Sequence, residues 1–365
     1  PTCQTVLQTY FLKLHVAHDT PVLIVGPTGT GKSAITNNWL LSLSKDKFMA
    51  NNINFSAKTT AFQTQEIIMS KLDRRKKGLF GPPVGKKCLV FVDDLNMPVK
   101  EVYGAQPPIE LLRTWLDHGF VYDKKEVSRI DLCDVLLLSA MGPPGGGRND
   151  ITSRMTSHLN LLTIDAFSED IMTGIFSAIA GKFFSNGWDN SFMKHGKVMV
   201  SATLEIYQQA IANFLPTPTK SHYVFNLRDF ARVIKGVLLA HPSTIGTDVA
   251  KFIRLWVHEV YRVFYDRLID EDDRNTFFNM VKDTCKSCFK QPMEKIMSHL
   301  FMGKELKDDH IRSLFFGDFI NPEAQTRYYD EMQDLDQLTS VIEGYLEEYN
   351  TSVKTPMPLV IFKFC

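Results

Sequence analysis

Along the first half of the chain, short apolar runs alternate with stretches whose apolar residues recur every three or four positions. Val22-Leu23-Ile24-Val25 is a run of the first kind, apolar throughout and mostly β-branched, as a strand buried on both faces is. Ile53-Asn54-Phe55-Ser56, Cys88-Leu89-Val90-Phe91-Val92, Asp134-Val135-Leu136-Leu137-Leu138-Ser139 and Leu159-Asn160-Leu161-Leu162-Thr163-Ile164 read as further strands. Between them the period is helical. Val6, Leu7, Phe11 and Leu14 share one face; Ala34 to Leu41 follows the first strand; Phe62, Ile67, Ile68 and Leu72 follow Thr59 and Thr60, either of which can cap a helix; and a Pro-Pro start leads into Ile109 to Leu116. Two stretches interrupt the alternation. Leu79-Phe80-Gly81-Pro82-Pro83-Val84-Gly85 reads as a turn or hairpin insert, and Phe120–Tyr122 with Val127–Ile130 as a hairpin turning at Asp123-Lys124-Lys125. Strands alternating with helices predict an α/β domain over residues 1–165, a parallel sheet with helices on both faces.

The strand pattern stops near Ile164. Ile171, Ile175 and Ile179, then Val198, Leu204, Ile206 and Ile211, then Leu227, Phe230, Ile234, Val237 and Leu238 all recur at helical spacing. They predict a smaller helical domain over 166–290. From Pro292 the character changes: Gly317-Asp318-Phe319-Ile320-Asn321-Pro322 reads as a loop, and Leu335, Leu338, Val341, Ile342, Tyr345 and Leu346 mark one more amphipathic helix. Residues 291–365 are therefore read as a connector. The chain opens on Pro1 and ends in apolar Leu359-Val360-Ile361-Phe362. Both ends predict a piece of a longer protein, cut at the edge of another domain.

Composition narrows the class. Forty-four per cent of the 365 residues are hydrophobic, enough for packed cores, while 41 basic and 41 acidic residues cancel. No global field favours nucleic acid or an anionic membrane. No apolar run is long enough to span a bilayer, and no signal peptide opens the chain. The basic run Arg74-Arg75-Lys76-Lys77 reads as a solvated loop. Cys285-Lys286-Ser287-Cys288 is a lone C-x-x-C without a second pair at zinc spacing, and is read as structural or incidental.

The chemistry gathers at two strand ends. Gly26-Pro27-Thr28-Gly29-Thr30-Gly31-Lys32-Ser33 satisfies the phosphate-loop pattern G-x-x-x-x-G-K-[ST], between a strand and a helix. Glycines let backbone N–H groups close on phosphate oxygens, and the helix dipole adds partial positive charge there. Lys32 supplies a point charge for the β/γ-phosphates and Ser33 a hydroxyl ligand for Mg²⁺. Ile35, just inside the helix, is counted with the nucleotide-binding set. About sixty residues later the strand from Cys88 ends in Asp93-Asp94. Asp93 is placed to complete a Mg²⁺ shell and Asp94 to polarise an attacking water. Asn226 can cap a helix with Arg228 in its first turn, where a cation opposes the dipole unless an anion such as a γ-phosphate is near.

These parts together resemble an AAA+ ATPase module, a phosphate-loop α/β domain with a small helical lid. The forms Phe91-Val92-Asp93-Asp94-Leu95-Asn96-Met97-Pro98, Ala140-Met141-Gly142-Pro143-Pro144-Gly145-Gly146-Gly147-Arg148-Asn149 and Phe225-Asn226-Leu227-Arg228-Asp229 resemble the third AAA+ module of dynein heavy chains, most like the axonemal inner-arm kind. The resemblance covers nearly the whole chain, with residues 310–365 similar to the lead-in of the next module. It implies ATP or ADP with Mg²⁺ as ligands and Lys32, Ser33 and Asp93 as phosphate and metal residues. It further implies Asp94 as hydrolytic base, Arg228 as second sensor and Val6 against adenine. Arg154 matches an arginine that reaches the preceding module's nucleotide. It implies neighbouring AAA+ modules as partners, microtubules only through remote parts of the motor, and a place in the cytoskeleton of the cilium. Three departures predict slow hydrolysis: Asp94 stands where many members have Glu, the strand end where the first sensor is usually Asn reads Ala140-Met141-Gly142, and Ser157 stands where a second Arg often follows. Two other functions use the same motifs: a stand-alone AAA+ remodelling enzyme, and a scaffold that holds nucleotide without hydrolysing it.

Overall fold

Alternate residues of the buried strands point into two different cores. In a computed structural model that describes residues 2–123, 126–145, 147–301, 306–321 and 326–358, the chain divides into two compact units, residues 1–167 and 168–365. Lys124 and Lys125 of the hairpin turn, Gly146, Pro322 and the apolar end Leu359–Phe362 lie outside the described residues.

The first unit opens with α1 (Cys3–Ala17), β1 (Val22–Val25), α2 (Lys32–Ser42), β2 (Phe48–Asn54) and α3 (Ala61–Met69). There follow β3 (Asp73–Lys76), β4 (Leu79–Gly81), β5 (Lys87–Asp93), α4 (Pro107–His118), β6 (Phe120–Tyr122), β7 (Arg129–Leu132), β8 (Val135–Met141), α5 (Ser153–Thr156) and β9 (Asn160–Thr163). Five strands form one parallel sheet in the order β2-β5-β8-β1-β9. Leu23, Val90, Val92 and Leu137 face one way, onto Ile68, Ile109, Leu112 and Trp115 of α3 and α4. Val22, Ile24, Leu89, Phe91, Leu136 and Leu138 face the other way, onto Leu12, Val16, Trp39 and Leu40 of α1 and α2. The expected α/β sheet with helices on both faces is thus present. Thr60 is the cap of α3, its hydroxyl accepting from the Gln63 N–H.

The two interruptions become one small sheet, ordered β3-β4-β7-β6. The basic run is part of it: Arg74, Arg75 and Lys76 lie in β3, not in a loop. Arg75 reaches across to Asp134 at 2.6 Å and donates to the Pro82 carbonyl, so cross-strand contacts and not solvation place it.

The second unit holds α6 (Glu169–Phe184), α7 (Phe192–Asn213), α8 (Leu227–Val237), α9 (Pro242–Ile245), α10 (Val249–Val263) and α11 (Glu271–Ser287). Its core is rich in aromatics, among them Phe184, Phe192, Phe230, Phe252, Trp256, Phe264 and Phe277. On α6 the buried face is Met172, Ala180 and Phe184, whereas Ile179 is 46% exposed. The isoleucine spacing therefore marks a neighbouring stripe and not the core face. Gly196 of α7 lets Phe184 lie against the backbone; a Cβ there would sit 2.6 Å from the Phe184 ring. Met293, Ile296, Met297, Ile311, Leu314 and Phe316 belong to the same core. The strand Phe315–Gly317 pairs antiparallel with Asp330–Met332, whose buried Glu331 takes a two-nitrogen grip from Arg254 of α10. Much of the segment read as a connector is thus structurally part of the helical unit.

Trp256 Nε1 donates to Thr203 Oγ1 at 2.9 Å, both side chains being fully buried. Thr203→Val keeps the shape and leaves the indole N–H without an acceptor, a loss of about 1–3 kcal/mol. In a Trp256→Phe background the same change is expected to cost far less. Urea unfolding of the four variants measures this; equal costs in both backgrounds would contradict the pairing.

Candidate nucleotide site

Three adjacent strands of the parallel sheet end together. β8 lies between β1, which runs into the loop 26–31, and β5, which ends at Asp93. The register pairs Val25 with Met141 and Val92 with Ser139, and the Gly26 N–H donates to the Met141 carbonyl. Crevices at the carboxyl ends of parallel strands are where α/β sheets hold ligands.

Each loop residue has a local reason for its place. Gly26 has no room for a side chain, since a Cβ would overlap the Ile164 carbonyl oxygen beside β9. Gly29 and Gly31 have φ of 90° and 82°, in the left-handed region. The Thr30 hydroxyl donates to the Pro27 carbonyl at 2.9 Å, which closes the turn over Thr28 and Gly29. Gly31 caps α2 without a side-chain hydrogen bond, and the first turn, Lys32 and Ser33 included, carries no acidic residue. Such a helix end presents backbone N–H groups and positive potential to an anion. The Lys32 ammonium is buried and donates to the carbonyls of Gly26 at 2.7 Å and Pro27 at 2.6 Å.

Asp93 and Asp94 stand on the other side of β8. Asp93 Oδ1 accepts the N–H of the next residue, Asp94, at 3.0 Å, where the chain leaves the strand. Asp94 has φ of 52°, a conformation that Asp tolerates better than most residues. Leu95 then donates its N–H to the Ala140 carbonyl, and Asn96 Nδ2 to the Gly142 carbonyl at 2.8 Å, tying the acidic turn to the end of β8.

Arg148, to which the sequence motifs assign no role, is part of this group. Its Nη2 lies 3.1 Å from Asp94 Oδ1. The signal for it was Gly142, a glycine without positive φ whose missing Cβ leaves room for that guanidinium.

The remaining candidates lie farther out. Val6, 59% exposed on α1, and Ile35 line one open groove of about 870 Å³ between α1 and α2, with Asn38 and Trp39. Arg154 is exposed in the short helix α5. Arg228 belongs to the second unit, exposed in the first turn of α8, its N–H donating to Asn226 Oδ1 at 2.8 Å. Asn226 and Asp229 form a reciprocal cap there, and buried Asp229 is also held by Arg267. In the C-x-x-C pair, Cys285 is buried, its thiol pushed well up by desolvation, and Cys288 Sγ lies 3.2 Å from Glu205 Oε2.

A parallel sheet with a phosphate loop after β1, an acidic pair after β5 and a helical unit downstream defines an AAA+ P-loop module, a nucleotide-binding unit. A family profile described as "P-loop containing dynein motor region" matches residues 1–167, and one described as "AAA+ lid domain" matches residues 199–298. The chain belongs to the dynein heavy chain family. It is 64% identical over 364 residues to "Dynein axonemal heavy chain 3" of Mus musculus, covering 100% of this chain and 9% of that protein. It is 48% identical over 369 residues to "Dynein axonemal heavy chain 12" of Rattus norvegicus, covering 100% of this chain and 12% of the relative. With "Dynein axonemal heavy chain 1" of Rattus norvegicus the identity is 40%, over 99% of this chain and 8% of the relative. The chain thus spans about a tenth of the length of these curated relatives.

Gly26→Ala is expected to force β1 and the loop away from Ile164, at a cost of about 1–3 kcal/mol for overpacking against backbone. The thermal midpoint of the first unit measures it, and an unchanged midpoint would show that the loop has slack at Gly26.

Proposed function

We propose that this chain is the third, regulatory nucleotide-binding module of an axonemal inner-arm dynein motor, binding ATP or ADP with Mg²⁺ and hydrolysing ATP slowly. The observation that carries the nucleotide reading is the meeting of the phosphate loop and Asp93-Asp94 on either side of β8. The module number and the inner-arm type rest on the Asp-Asp-Leu-Asn-Met-Pro and Gly-Pro-Pro-Gly-Gly-Gly-Arg-Asn forms. On this reading the chain's partners are the adjacent AAA+ modules of its own heavy chain. Microtubules are engaged by remote parts of the motor, and the protein works in the ciliary axoneme.

The uncapped start of α2 and the two left-handed glycines fit a phosphate group, and the oxygen donors Ser33 and Asp93 fit Mg²⁺. Bound there, Mg²⁺ would neutralise phosphate charge. Lys32 adds a fixed cation and exchanges its loop carbonyls for phosphate oxygens. Loop residues Gly26 to Gly31 supply N–H donors and clearance. Val6 and Ile35 flank the base through the α1–α2 groove. Asp94 orients and polarises the attacking water, and Arg228 senses the γ-phosphate as the second sensor. Arg154 acts in trans on the preceding module and has no task at the chain's own site.

The Asp94 carboxylate is one methylene shorter than the glutamate common at this position. A retraction of that size can cost about 10²-fold in rate while leaving ground-state binding intact. A regulatory role follows, since a site that binds well and turns over slowly stays in one nucleotide state through many cycles of a faster neighbour.

Lys32→Ala is expected to weaken Mg-nucleotide binding at least about tenfold, the loss of charge-assisted contacts in a half-dry loop. Wild-type affinity in a calorimetric titration of that variant would remove the phosphate-loop assignment. The unaltered chain should turn over ATP well below about 1 s⁻¹, and Asp94→Glu should raise the rate once the neighbouring module is restored. Turnover at ordinary enzyme speeds, or an inert Asp94→Glu in a complete ring, would sink the slow-switch reading.

A further inference from the structure

The two terminal nitrogens of Arg148 are differently placed. Nη2 is paired with Asp94, 3.1 Å from its Oδ1, while Nη1 is buried and has no hydrogen-bond partner among the described residues. The side chain as a whole is 18% exposed. A guanidinium donor withdrawn from water without an acceptor is costly, and proteins keep such an arrangement only where something offsets it.

Gly142 shows that the placement is built in. Its φ is not left-handed, so the backbone makes no demand for glycine. What glycine supplies is space: a Cβ would overlap Arg148 Nη1 and lie 2.6 Å from Cζ and 3.1 Å from Cδ. Reciprocal backbone hydrogen bonds between Gly145 and Arg148, and the Asn149 N–H donating to the Asn96 carbonyl, hold the returning chain against the acidic turn. The guanidinium is thereby fixed at the carboxyl end of β8. On one side is the strand that ends at Asp93, and on the other the strand whose next residue, Gly26, starts the phosphate loop.

We infer that Arg148 reads the terminal phosphate of a nucleoside triphosphate, with Nη2 holding Asp94 and Nη1 as the donor kept for a phosphate oxygen; the inference rests on the phosphate-loop reading of the site. The loop backbone and Lys32 serve the phosphates common to di- and triphosphates. Arg148 stands beside the carboxylate assigned to the hydrolytic step, where only the terminal group has business. A guanidinium suits this double task because its planar fork offers donors in two directions at once, which an ammonium does not. Arg148 thus makes the state of Asp94 depend on whether the third phosphate is there.

The test is an equilibrium titration of the chain with Mg-ADP and with a Mg-bound non-hydrolysable triphosphate analogue. Arg148→Ala removes the guanidinium, and Gly142→Ala evicts it by occupying its space. Each is expected to cut the analogue-to-ADP affinity ratio about tenfold, with the loss confined to the triphosphate. The double variant should be no worse than either single one, because both remove the same interaction. A ratio that survives Arg148→Ala, a parallel loss for both nucleotides, or additive effects in the double variant would each overturn the inference. Thermal midpoints of both single variants separate a folding defect from lost discrimination. A wild-type chain that binds neither nucleotide retires the phosphate-loop reading itself; one that binds ADP with a ratio indifferent to Arg148 retires only the phosphate-sensing role of Arg148.

Discussion

The parallel register of β5, β8 and β1 is the constraint on which the rest of the first unit depends. Parallel strands end on the same side, so the phosphate loop after β1, the acidic turn after β5 and Gly142 after β8 emerge as neighbours. A slip of one residue would exchange the faces of every side chain, putting Leu23 where Val22 and Ile24 now pack. Each face is covered by a different pair of helices, so both cores oppose that slip. The geometry of the site is therefore maintained by packing that never touches a ligand.

Around that register, charge is handled differently in the two units. In the helical unit, buried carboxylates are closed off: Asp229 by Arg267 and its cap, Glu331 by Arg254 and His299. Such closure fixes geometry because removing one partner strands a buried charge. In the α/β unit, Lys32 rests on carbonyls of its own loop, and Arg148 gives one nitrogen to Asp94 while another is left without an acceptor among the described residues. That nitrogen of Arg148 can be claimed by an incoming anion without breaking an existing hydrogen bond. The first pattern suits a frame and the second a binding site.

The helical unit also takes in chain that its sequence period does not announce. Met293, Ile296, Met297, Ile311, Leu314 and Phe316 join the core that holds Trp256 and Phe277, and the strand pair Phe315–Gly317 with Asp330–Met332 is riveted to α10 through Arg254 and Glu331.

Much of this was written locally. A buried parallel strand is an apolar run, a phosphate loop needs its glycines and lysine at set spacings, and Thr60 and Asn226 cap helices through contacts within three residues. Val22–Val25, Gly26–Ser33, Cys88–Asp94 and the caps were legible for that reason. What depended on distant partners was not. The run Arg74–Lys76 became a strand because β4 lay beside it and Asp134 answered Arg75. The isoleucines of α6 fell beside the core because Gly196 let Phe184 and its stripe take that place. Arg148 met Asp94 across a gap in sequence that only the closing of β8 between β5 and β1 could bridge. Local propensity and short-range hydrogen bonds were enough to specify the elements and the loop. The pairing of charges and the choice of buried face were settled by tertiary structure, since their energies exist only between groups that folding brings together.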